Sequence, residues 1–355
     1  MSLAPVNDKL VGRILDNDLY SRHGVLLLPK DTVLTALHVH TLYRQGIAEV
    51  NVKDVTEEET APPISTQLRD SVFDSETAAI YVDALDKTRA IFEKASQEGE
   101  NQTVSEFTEV FSKVAGQAMK QKGLLRSLYM LEGADDYTYR HSINVGILCT
   151  LIATLLKWDE ERIRFMGDAG FLHDIGKMKV PREILLKPGK LSPEEFELMK
   201  MHTRYGYEML KEMEGGSEKL ALCALLHHER LNGTGYPEQR KGASIPIECQ
   251  VLAIADIFDA ICSDRVYKDR TSPFEAAQLL WKEACDGALN IEIVTKFVRY
   301  IALMYVGAKA RLNNGEEVEV ILINQDEPMR PLVRRKGEFV DLRYNRSLTI
   351  EKMIG

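Results

Sequence analysis

One feature of the sequence constrains the fold more than any other: residues that bind metals recur at even intervals in the middle of the chain. Five of the eight histidines fall between positions 141 and 228, and successive candidate positions lie about 25 to 32 residues apart. Each interval matches one helix and its connection. A chain that returns an imidazole or carboxylate to one place at each helical pass is typical of a site for several metal ions. The positions are His141, His173, Asp174, His202, His227, His228 and Asp256.

The adjacent pairs in this set favour more than one ion. Neighbouring residues of a helix point about 100° apart, so His173 and Asp174 cannot bind one ion from one face. They can flank two neighbouring ions, with the carboxylate bridging them, and we apply the same reasoning to His227-His228. Asp256 lies in the almost wholly apolar stretch 251–258, where an unpaired carboxylate costs several kcal/mol, so it needs a cation.

Alternatives exist for each residue alone, because a lone histidine on an apolar helix is usually a hydrogen-bonded core residue. Seven candidates at regular intervals favour the metal interpretation. Imidazole and carboxylate ligands without thiolate suit Fe, Mn, Ni or Zn, and the residues do not choose among these metals.

Cationic side chains near these positions indicate a phosphate ligand. Lys177 lies three residues after Asp174 and opens a basic stretch that ends at Lys190, while Arg265 and Lys268 follow the segment that carries Asp256. A guanidinium can bind phosphate through two hydrogen bonds, and lysine offers a point charge. For Lys179, Lys187 and Lys190 a solvated basic loop explains the charges equally well.

Composition excludes several classes of protein. The net charge of −9 argues against nucleic-acid polymers as partners. No apolar run reaches the roughly 18 residues of a membrane span, and the N-terminus lacks the pattern of a signal peptide. The five cysteines form no CxxC pair and fit reduced core residues. We therefore expect a cytoplasmic protein with no membrane association.

The chain divides into five segments by pattern. Residues 1–53 read as a small α+β regulatory domain, 54–66 as an acidic, proline-rich linker, and 67–131 as a helical connector. Residues 132–305 are helical throughout, with helix starts predicted at the capping-box sequences of Ser192 and Ser272. Residues 306–355 form a β-rich extension with strands predicted over 309–312, 317–323, 331–334 and 339–342, and a further strand is predicted over residues 10–16 of the first segment. The predicted fold class is mainly α. The connector's apolar stripe fits either a homodimer interface or packing within the chain.

Three motifs together resemble the HD-GYP family of cyclic di-GMP phosphodiesterases, within the HD phosphohydrolase superfamily. They are His173-Asp174-Ile175-Gly176-Lys177, His227-His228-Glu229 and Gly233-Thr234-Gly235-Tyr236-Pro237. The resemblance covers residues 136–304, about half of the chain. An HD pair alone is shared by many enzymes, but the combination is specific.

The resemblance implies a helical catalytic domain with metals in its core. The seven residues given above match the family's ligands, and Lys177, Arg265 and Lys268 match its phosphate-contacting positions. The segment 232–237 matches the signature loop that borders the substrate cleft, so Gly235, Tyr236 and Pro237 are implied substrate contacts. The loop is also thought to engage partner proteins, for which a diguanylate cyclase domain is our candidate.

Two departures from the family pattern concern the metal site. Members with a third metal carry a carboxylate one turn before the position of His141, and this chain has Tyr137 there. We therefore expect two divalent metal ions. Asn232 replaces a carboxylate that many relatives have near this position, and because it has the same shape we do not expect metal binding to be lost.

The resulting hypothesis is a metal-dependent phosphodiesterase that opens cyclic di-GMP to linear pGpG and onward to GMP. Two cations about 3.5–4 Å apart would hold a bridging hydroxide for in-line attack. Asp174 and Lys177 are the catalytic candidates. Alternatives are hydrolysis of 3′,3′-cyclic GMP-AMP or another phosphoester, and a non-catalytic module that binds a nucleotide or a partner.

Overall fold

Helices dominate the structure, with small sheets near both ends of the sequence, which confirms the predicted fold class. A computed structural model describes residues 75–95, 102–120, 128, 137–187, 189–263 and 272–354. Within the first 53 it describes residues 2–6, 10, 13–20, 26–28, 30, 32, 34, 38–39, 42 and 47–53. The chain divides into two units, Met1–Pro63 and Ile64–Gly355. None of the described helices has the length and apolar character that a membrane span needs.

Two pairs of short antiparallel strands organise the first unit. They are β1 (Ser2–Pro5) with β4 (Glu49–Val52), and β2 (Leu19–Tyr20) with β3 (Leu26–Leu28). Alternate side chains of β4, Val50 and Val52, are buried in a small core of leucine and valine. Of the strand predicted over residues 10–16, the described part pairs beside β4 without forming a regular strand: Leu15 forms a bridge with Val52, and the Asp16 amide donates to the Asn51 carbonyl at 3.0 Å.

A succession of helices forms most of the second unit. Their bounds are α1 (Ser75–Ala95), α2 (Val104–Ala118), α3 (Tyr137–Leu155), α4 (Glu160–Leu172), α5 (Arg182–Leu185), α6 (Pro193–Lys200), α7 (His202–Glu212), α8 (Glu218–Leu226), α9 (Ile247–Ser263), α10 (Pro273–Cys285) and α11 (Ile291–Leu303). A 3₁₀ turn, Ile175–Lys179, follows α4. Ser192 and Ser272 form complete capping boxes at the starts of α6 and α10, as their sequence signals predict.

Helix α3 lies at the centre of the core. Residues 140–149 of this helix are all buried, which is expected of a helix surrounded by others. Four of these residues carry polar side chains: Arg140, His141, Ser142 and Asn144. Since buried polar groups require partners, these residues mark the part of the core where structure and chemistry meet.

Helices α1 and α2 pack within the chain through aromatic side chains. The Phe92 ring lies 5.6 Å from the rings of both Phe107 and Phe171, and Phe111 stacks on Phe171 at 5.2 Å between centroids. Phe171 is two residues from His173, so the predicted connector shares one core with the helices that follow it. These contacts support the intrachain alternative for the connector's apolar stripe.

An antiparallel sheet closes the second unit, with strand order β8-β7-β6-β5-β9. Its strands are β5 (Lys309–Leu312), β6 (Glu317–Leu322), β7 (Leu332–Arg335), β8 (Glu338–Asp341) and β9 (Ile350–Ile354). Four were predicted within one residue; β9 was not. Gln278 Nε2 on α10 donates to the Ile350 carbonyl at 2.8 Å and ties this strand to the helices.

Candidate metal centre

The seven predicted ligands converge from five helices, most of them from helix ends. His141 lies in α3 and Asp256 in the middle of α9. The others are His173 at the C-cap of α4, Asp174 directly after it, His202 at the start of α7, His227 at the C-cap of α8 and His228 directly after it. Since successive helices end at one place, the regular spacing in the sequence has a direct structural cause.

Four of these side chains form what we call the first group: His141, His173, Asp174 and Asp256. His141 Nε2 lies 3.5 Å from Asp174 Oδ2 and 3.1 Å from Asp256 Oδ1. His173 Nε2 lies 3.2 Å from Asp174 Oδ2 and 3.8 Å from Asp256 Oδ1. The atoms of His141, His173 and Asp174 fit one metal ion.

The second group consists of His202, His227 and His228, whose ring nitrogens lie within 4.8 Å of one another. Asp174 Oδ1 is 3.4 Å from His202 Nε2 and 3.8 Å from His227 Nε2. The two oxygens of Asp174 thus face different groups, as expected for a bridging carboxylate. We had also expected His227 and His228 to flank two ions. Both rings lie in the second group, and His228 Nδ1 also lies 3.6 Å from Asp256 Oδ2 of the first group, so this expectation stays a prediction.

Three histidines are oriented by the same type of local hydrogen bond. The Nδ1 atoms of His173, His202 and His227 lie 2.7, 2.7 and 2.8 Å from the carbonyls of Gly170, Met199 and Ala224, each three residues earlier in the last turn of a helix. A carbonyl can only accept, so Nδ1 carries the proton and Nε2 keeps its lone pair. Each ring satisfies a free helix-end carbonyl and presents Nε2 as a ligand.

His141 is held differently, by a carboxylate from another helix. Its Nδ1 lies 2.7 Å from Asp259 Oδ2. Burial lowers the pKa of His141, but hydrogen bonds with Asp256 and Asp259 outweigh burial and raise it to about 10. The surrounding carboxylates therefore favour positive charge at this ring, and a metal cation at Nε2 meets the same preference.

The remaining pKa shifts also suit cation binding. Burial lowers the pKa of His202 and of His227, and it lowers that of His228 to about 3. Burial raises the pKa of Asp174, but the charges of His173 and Lys177 lower it well below the usual value. Neutral imidazoles beside an ionised carboxylate are the protonation states that a divalent metal requires.

Two buried atoms support this interpretation without reference to charge. His173 Nε2 and Asp174 Oδ1 have no hydrogen-bond partner among the described residues. A buried polar atom without a partner costs about 1–3 kcal/mol, so such atoms call for an explanation. Both atoms belong to the groups described above, and metal ions bound there would satisfy them.

Gly176 permits the close approach that joins the two groups. A Cβ at this position would lie 2.0 Å from the His202 carbonyl oxygen and 2.3 Å from the Gly206 amide nitrogen. Only glycine allows the turn after Asp174 to cross α7 at this distance. The crossing brings His202 beside Asp174, which explains why the motif contains a glycine two residues after its aspartate.

The signature loop packs directly on the second group. A Cβ on Gly235 would lie 2.4 Å from the His228 carbonyl oxygen, and the Tyr236 ring lies 4.6 Å from the His228 ring. Buried Glu229 accepts hydrogen bonds from the backbone amides of Glu238 and Arg240 at 2.7 and 3.0 Å. Gly235 and Glu229 therefore shape the loop, while Tyr236 covers His228.

The phosphate-binding candidates are placed only in part. Lys177 Nζ lies 2.5 Å from Asp174 Oδ2, which brings its ammonium to the edge of the first group. Pro237, partly buried, follows Tyr236 in the loop. Arg265 and Lys268 lie outside the described residues, as does the side chain of Tyr137.

Sequence reasoning missed the roles of Asp259 and Asn144. Asp259 is fully buried one turn after Asp256, and it accepts from Asn144 Nδ2 at 3.0 Å and from Ser263 Oγ at 3.1 Å. The argument that a carboxylate in an apolar helix needs a partner applies to Asp259 as well as to Asp256. Asn144 offered no comparable signal, since an uncharged asparagine in an apolar stretch does not by itself require a charged partner.

Comparison with known proteins agrees with the motifs. Residues 125–289 match the HD domain family. Over 210 residues the chain is 36% identical to a cyclic di-GMP phosphodiesterase of Pseudomonas aeruginosa, covering 59% of this chain and 50% of that protein. Over 173 residues it is 34% identical to a 3′3′-cGAMP-specific phosphodiesterase of Vibrio cholerae, covering 48% of this chain and 39% of that protein. The chain thus spans half or less of the length of these relatives.

The fold is also similar to that of a solved HDG"Y"P protein from Bdellovibrio bacteriovorus. The TM-score is 0.53 at 16% identity, and the similarity covers 84% of this chain and 99% of that one. The resemblance predicted from the motifs agrees with these findings: residues 125–289 match the HD domain family, and the curated relatives include proteins named cyclic di-GMP phosphodiesterases.

Proposed function

We propose that this chain is a metal-dependent phosphodiesterase that hydrolyses a cyclic dinucleotide, with cyclic di-GMP as the first candidate. The observation that carries the proposal is the placement of Asp174, whose two oxygens face two separate groups of metal-binding side chains. Paired metal sites of this kind are typical of enzymes that hydrolyse phosphate esters. The named relatives act on cyclic dinucleotides, which selects the substrate class.

The donor atoms suit two divalent transition metals. Both groups offer imidazole nitrogens and carboxylate oxygens, a set that fits Fe, Mn, Ni or Zn. Two groups, together with Tyr137 at the position of a third-metal carboxylate, support two ions. When bound, such ions lower the pKa of water and neutralise phosphate charge.

Among the described residues, Lys177 is the cationic side chain best placed to contact phosphate. Its ammonium rests on Asp174 Oδ2, an oxygen that also faces the first group. An ammonium and a divalent cation on one oxygen would repel each other, so a metal ion held by Asp174 would favour Lys177 away from this contact. The side chain is 19% exposed and can then place its charge on a phosphoryl oxygen of a bound nucleotide.

The proposed reaction is hydrolysis of one phosphodiester bond to give linear pGpG, with GMP as the product of any second hydrolysis. Lys177 stabilises the negative charge that develops on the phosphoryl group. Arg265 and Lys268 remain predicted contacts of the same kind. Gly235, Tyr236 and Pro237 form the loop beside the second group, where Tyr236 borders the substrate.

The alternative substrate is 3′,3′-cyclic GMP-AMP, because one relative is named for it. The two nucleotides differ in one base and share the phosphodiester ring, so the metal groups do not distinguish them. A non-catalytic module is the weaker alternative, since this chain keeps every predicted ligand. A diguanylate cyclase domain remains our candidate partner for the signature loop, and a homodimer remains a prediction.

The proposal is tested with purified, metal-loaded protein and a panel of cyclic di-GMP, 3′,3′-cyclic GMP-AMP, pGpG and a simple phosphomonoester. Asp174→Asn, which keeps the shape of the side chain and removes its charge, is the matched control against a contaminating enzyme. We expect wild-type protein to cleave cyclic di-GMP and the variant to be inactive. Metal-loaded protein that cleaves no cyclic dinucleotide contradicts the proposal, and preference for 3′,3′-cyclic GMP-AMP selects the alternative substrate.

A further inference from the structure

A chain of buried hydrogen bonds leads from helix α1 to the first group. The Tyr81 hydroxyl lies 2.7 Å from Asn144 Oδ1, and Asn144 Nδ2 lies 3.0 Å from Asp259 Oδ1. The other oxygen of Asp259 lies 2.7 Å from His141 Nδ1. Tyr81, Asn144 and Asp259 are each 0% exposed, so the whole path is shielded from solvent.

The direction of each hydrogen bond in this path is determined by chemistry. An ionised carboxylate can only accept, so Asn144 presents its NH₂ to Asp259 and leaves its carbonyl oxygen for Tyr81. Burial raises the pKa of Tyr81, so the phenol keeps its proton and donates. Within this path, Tyr81 donates to Asn144, and Asn144 donates to Asp259.

The path begins outside the region that matches the HD domain. That region is 125–289, whereas Tyr81 lies in α1 (Ser75–Ala95). The rings of His173, His202 and His227 need only a carbonyl three residues away. His141 depends instead on a carboxylate that a second helix supplies and a third helix holds in place.

We propose that Tyr81 is a positioning residue for His141. Through Asn144 and Asp259 it fixes the imidazole with Nε2 towards Asp174 and Asp256, and it makes metal binding by the first group depend on α1. Tyr81 itself contacts neither metal nor substrate. The inference rests on the proposed role of His141 as a ligand and is independent of which nucleotide is hydrolysed.

The test compares metal affinities in the full-length protein. Tyr81→Phe removes only the hydroxyl, and competition with a chromogenic chelator measures the affinity for Zn²⁺ or Mn²⁺. Loss of the outer support of a metal-binding histidine weakens binding about 10- to 100-fold, so we expect this loss for one of the two ions. The other ion, in the second group, should bind as in wild type.

Thr88→Val is the matched control. Thr88 is also 0% exposed on α1, and its hydroxyl has no hydrogen-bond partner among the described residues. This variant should bind both ions like wild type. The proposal is overturned if Tyr81→Phe retains wild-type affinity for both ions, or if both variants lose affinity equally.

A double-mutant cycle keeps the inference testable if one substitution perturbs folding. Asn144→Ala should weaken the same ion as Tyr81→Phe, and the double variant should be no weaker than Asn144→Ala alone, because both changes break one path. Additive losses contradict the path. Wild-type protein that binds two ions without cleaving cyclic dinucleotides would instead contradict the proposed function.

Discussion

The two metal-binding groups are built from similar parts but differ in charge. The first group combines His141 and His173 with two carboxylates, Asp174 and Asp256, and its environment raises the pKa of His141 to about 10. The second group has three imidazoles with lowered pKa values; the far oxygen of Asp174 faces it, and Asp256 approaches only one of its rings, with Oδ2 3.6 Å from His228 Nδ1. A cation is therefore attracted more strongly to the first group, and we expect the two ions to bind with different affinities.

The groups also differ in how far their support extends. In the second group, His202 and His227 rely on carbonyls three residues earlier, so their orientation follows from local folding. In the first group, His173 has the same support, but His141 relies on Asp259, Asn144 and Tyr81, which lie on three different helices. Local support makes a group robust, whereas support across helices makes it sensitive to distant structural change.

Replacing the residue shared by both groups should have the largest effect. Asp174→Ala removes the carboxylate that faces both sets of imidazoles, so we expect loss of both ions and a fall in turnover of at least about 10³-fold. Elemental analysis and nucleotide hydrolysis measure the two effects, with circular dichroism as the control for folding. A variant with near-normal turnover would contradict the two-metal mechanism.

Replacing one ligand in each group separates the groups. His141→Ala should lose the ion of the first group, and His202→Ala that of the second, so each variant should retain about one ion per chain. Because the first group carries more negative charge, the ion left in His202→Ala should be the tighter one. Chelator competition measures both affinities, and equal affinities would contradict the proposed charge difference.

A backbone substitution tests how the groups are joined. The Cβ of Gly176→Ala would meet backbone atoms of α7, so we expect a loss of about 2–3 kcal/mol in the free energy of unfolding. Weaker binding by the second group should accompany it, since His202 begins α7. Gly116→Ala on α2, where a Cβ meets nothing within 4 Å, should stabilise by about 0.5–1 kcal/mol. Equal effects of the two substitutions in chemical denaturation would refute the close crossing.

Replacing Asp168 should have the smallest effect. The pKa of this residue is raised, whereas the pKa of the proposed ligand Asp174 is lowered. Burial raises the pKa of Asp168 from 3.8 to about 6, with Arg164 opposing the shift. A raised carboxylate pKa means that the folded state prefers the protonated form. Stability is therefore lost as pH rises from about 4 to about 6 and stays lower above that range.

Asp168→Asn removes this penalty. Relative to wild type, the variant should gain about 1–3 kcal/mol in unfolding free energy between pH 4 and pH 7.5. Urea denaturation at both pH values measures the change. A difference between variant and wild type that does not vary with pH would show that Asp168 titrates normally.

Much of the metal centre follows from the sequence, because spacing and residue type set which helix ends meet. The sequence alone reveals the regular spacing of the ligand candidates from His141 to Asp256, and it reveals the capping boxes at Ser192 and Ser272. What the sequence leaves open depends on tertiary placement. Only the positions at which helices end and cross reveal three features. These are the carbonyl partners of three histidines, the grouping of His227 and His228, and the hydrogen-bonded path to Tyr81.

The sheets likewise contain some strands that the sequence predicts and others that it does not. Strands β5 to β8 have clear alternation and turn signals, so their positions were predicted. Strand β9 has a weak pattern of its own and forms because β5 offers it a free edge. In the first unit, β4 pairs with β1 and also bonds with residues of the segment predicted as a strand over 10–16, a pairing that the sequence pattern of this segment does not reveal.

The most direct test of the central claim is a crystal structure of metal-loaded wild-type protein with anomalous scattering from the bound metal. We predict two ions per chain. One is bound by His141, His173 and Asp256, the other by His202, His227 and His228, and each oxygen of Asp174 contacts a different ion. A single ion, or an Asp174 carboxylate that reaches only one of two ions, would contradict the account.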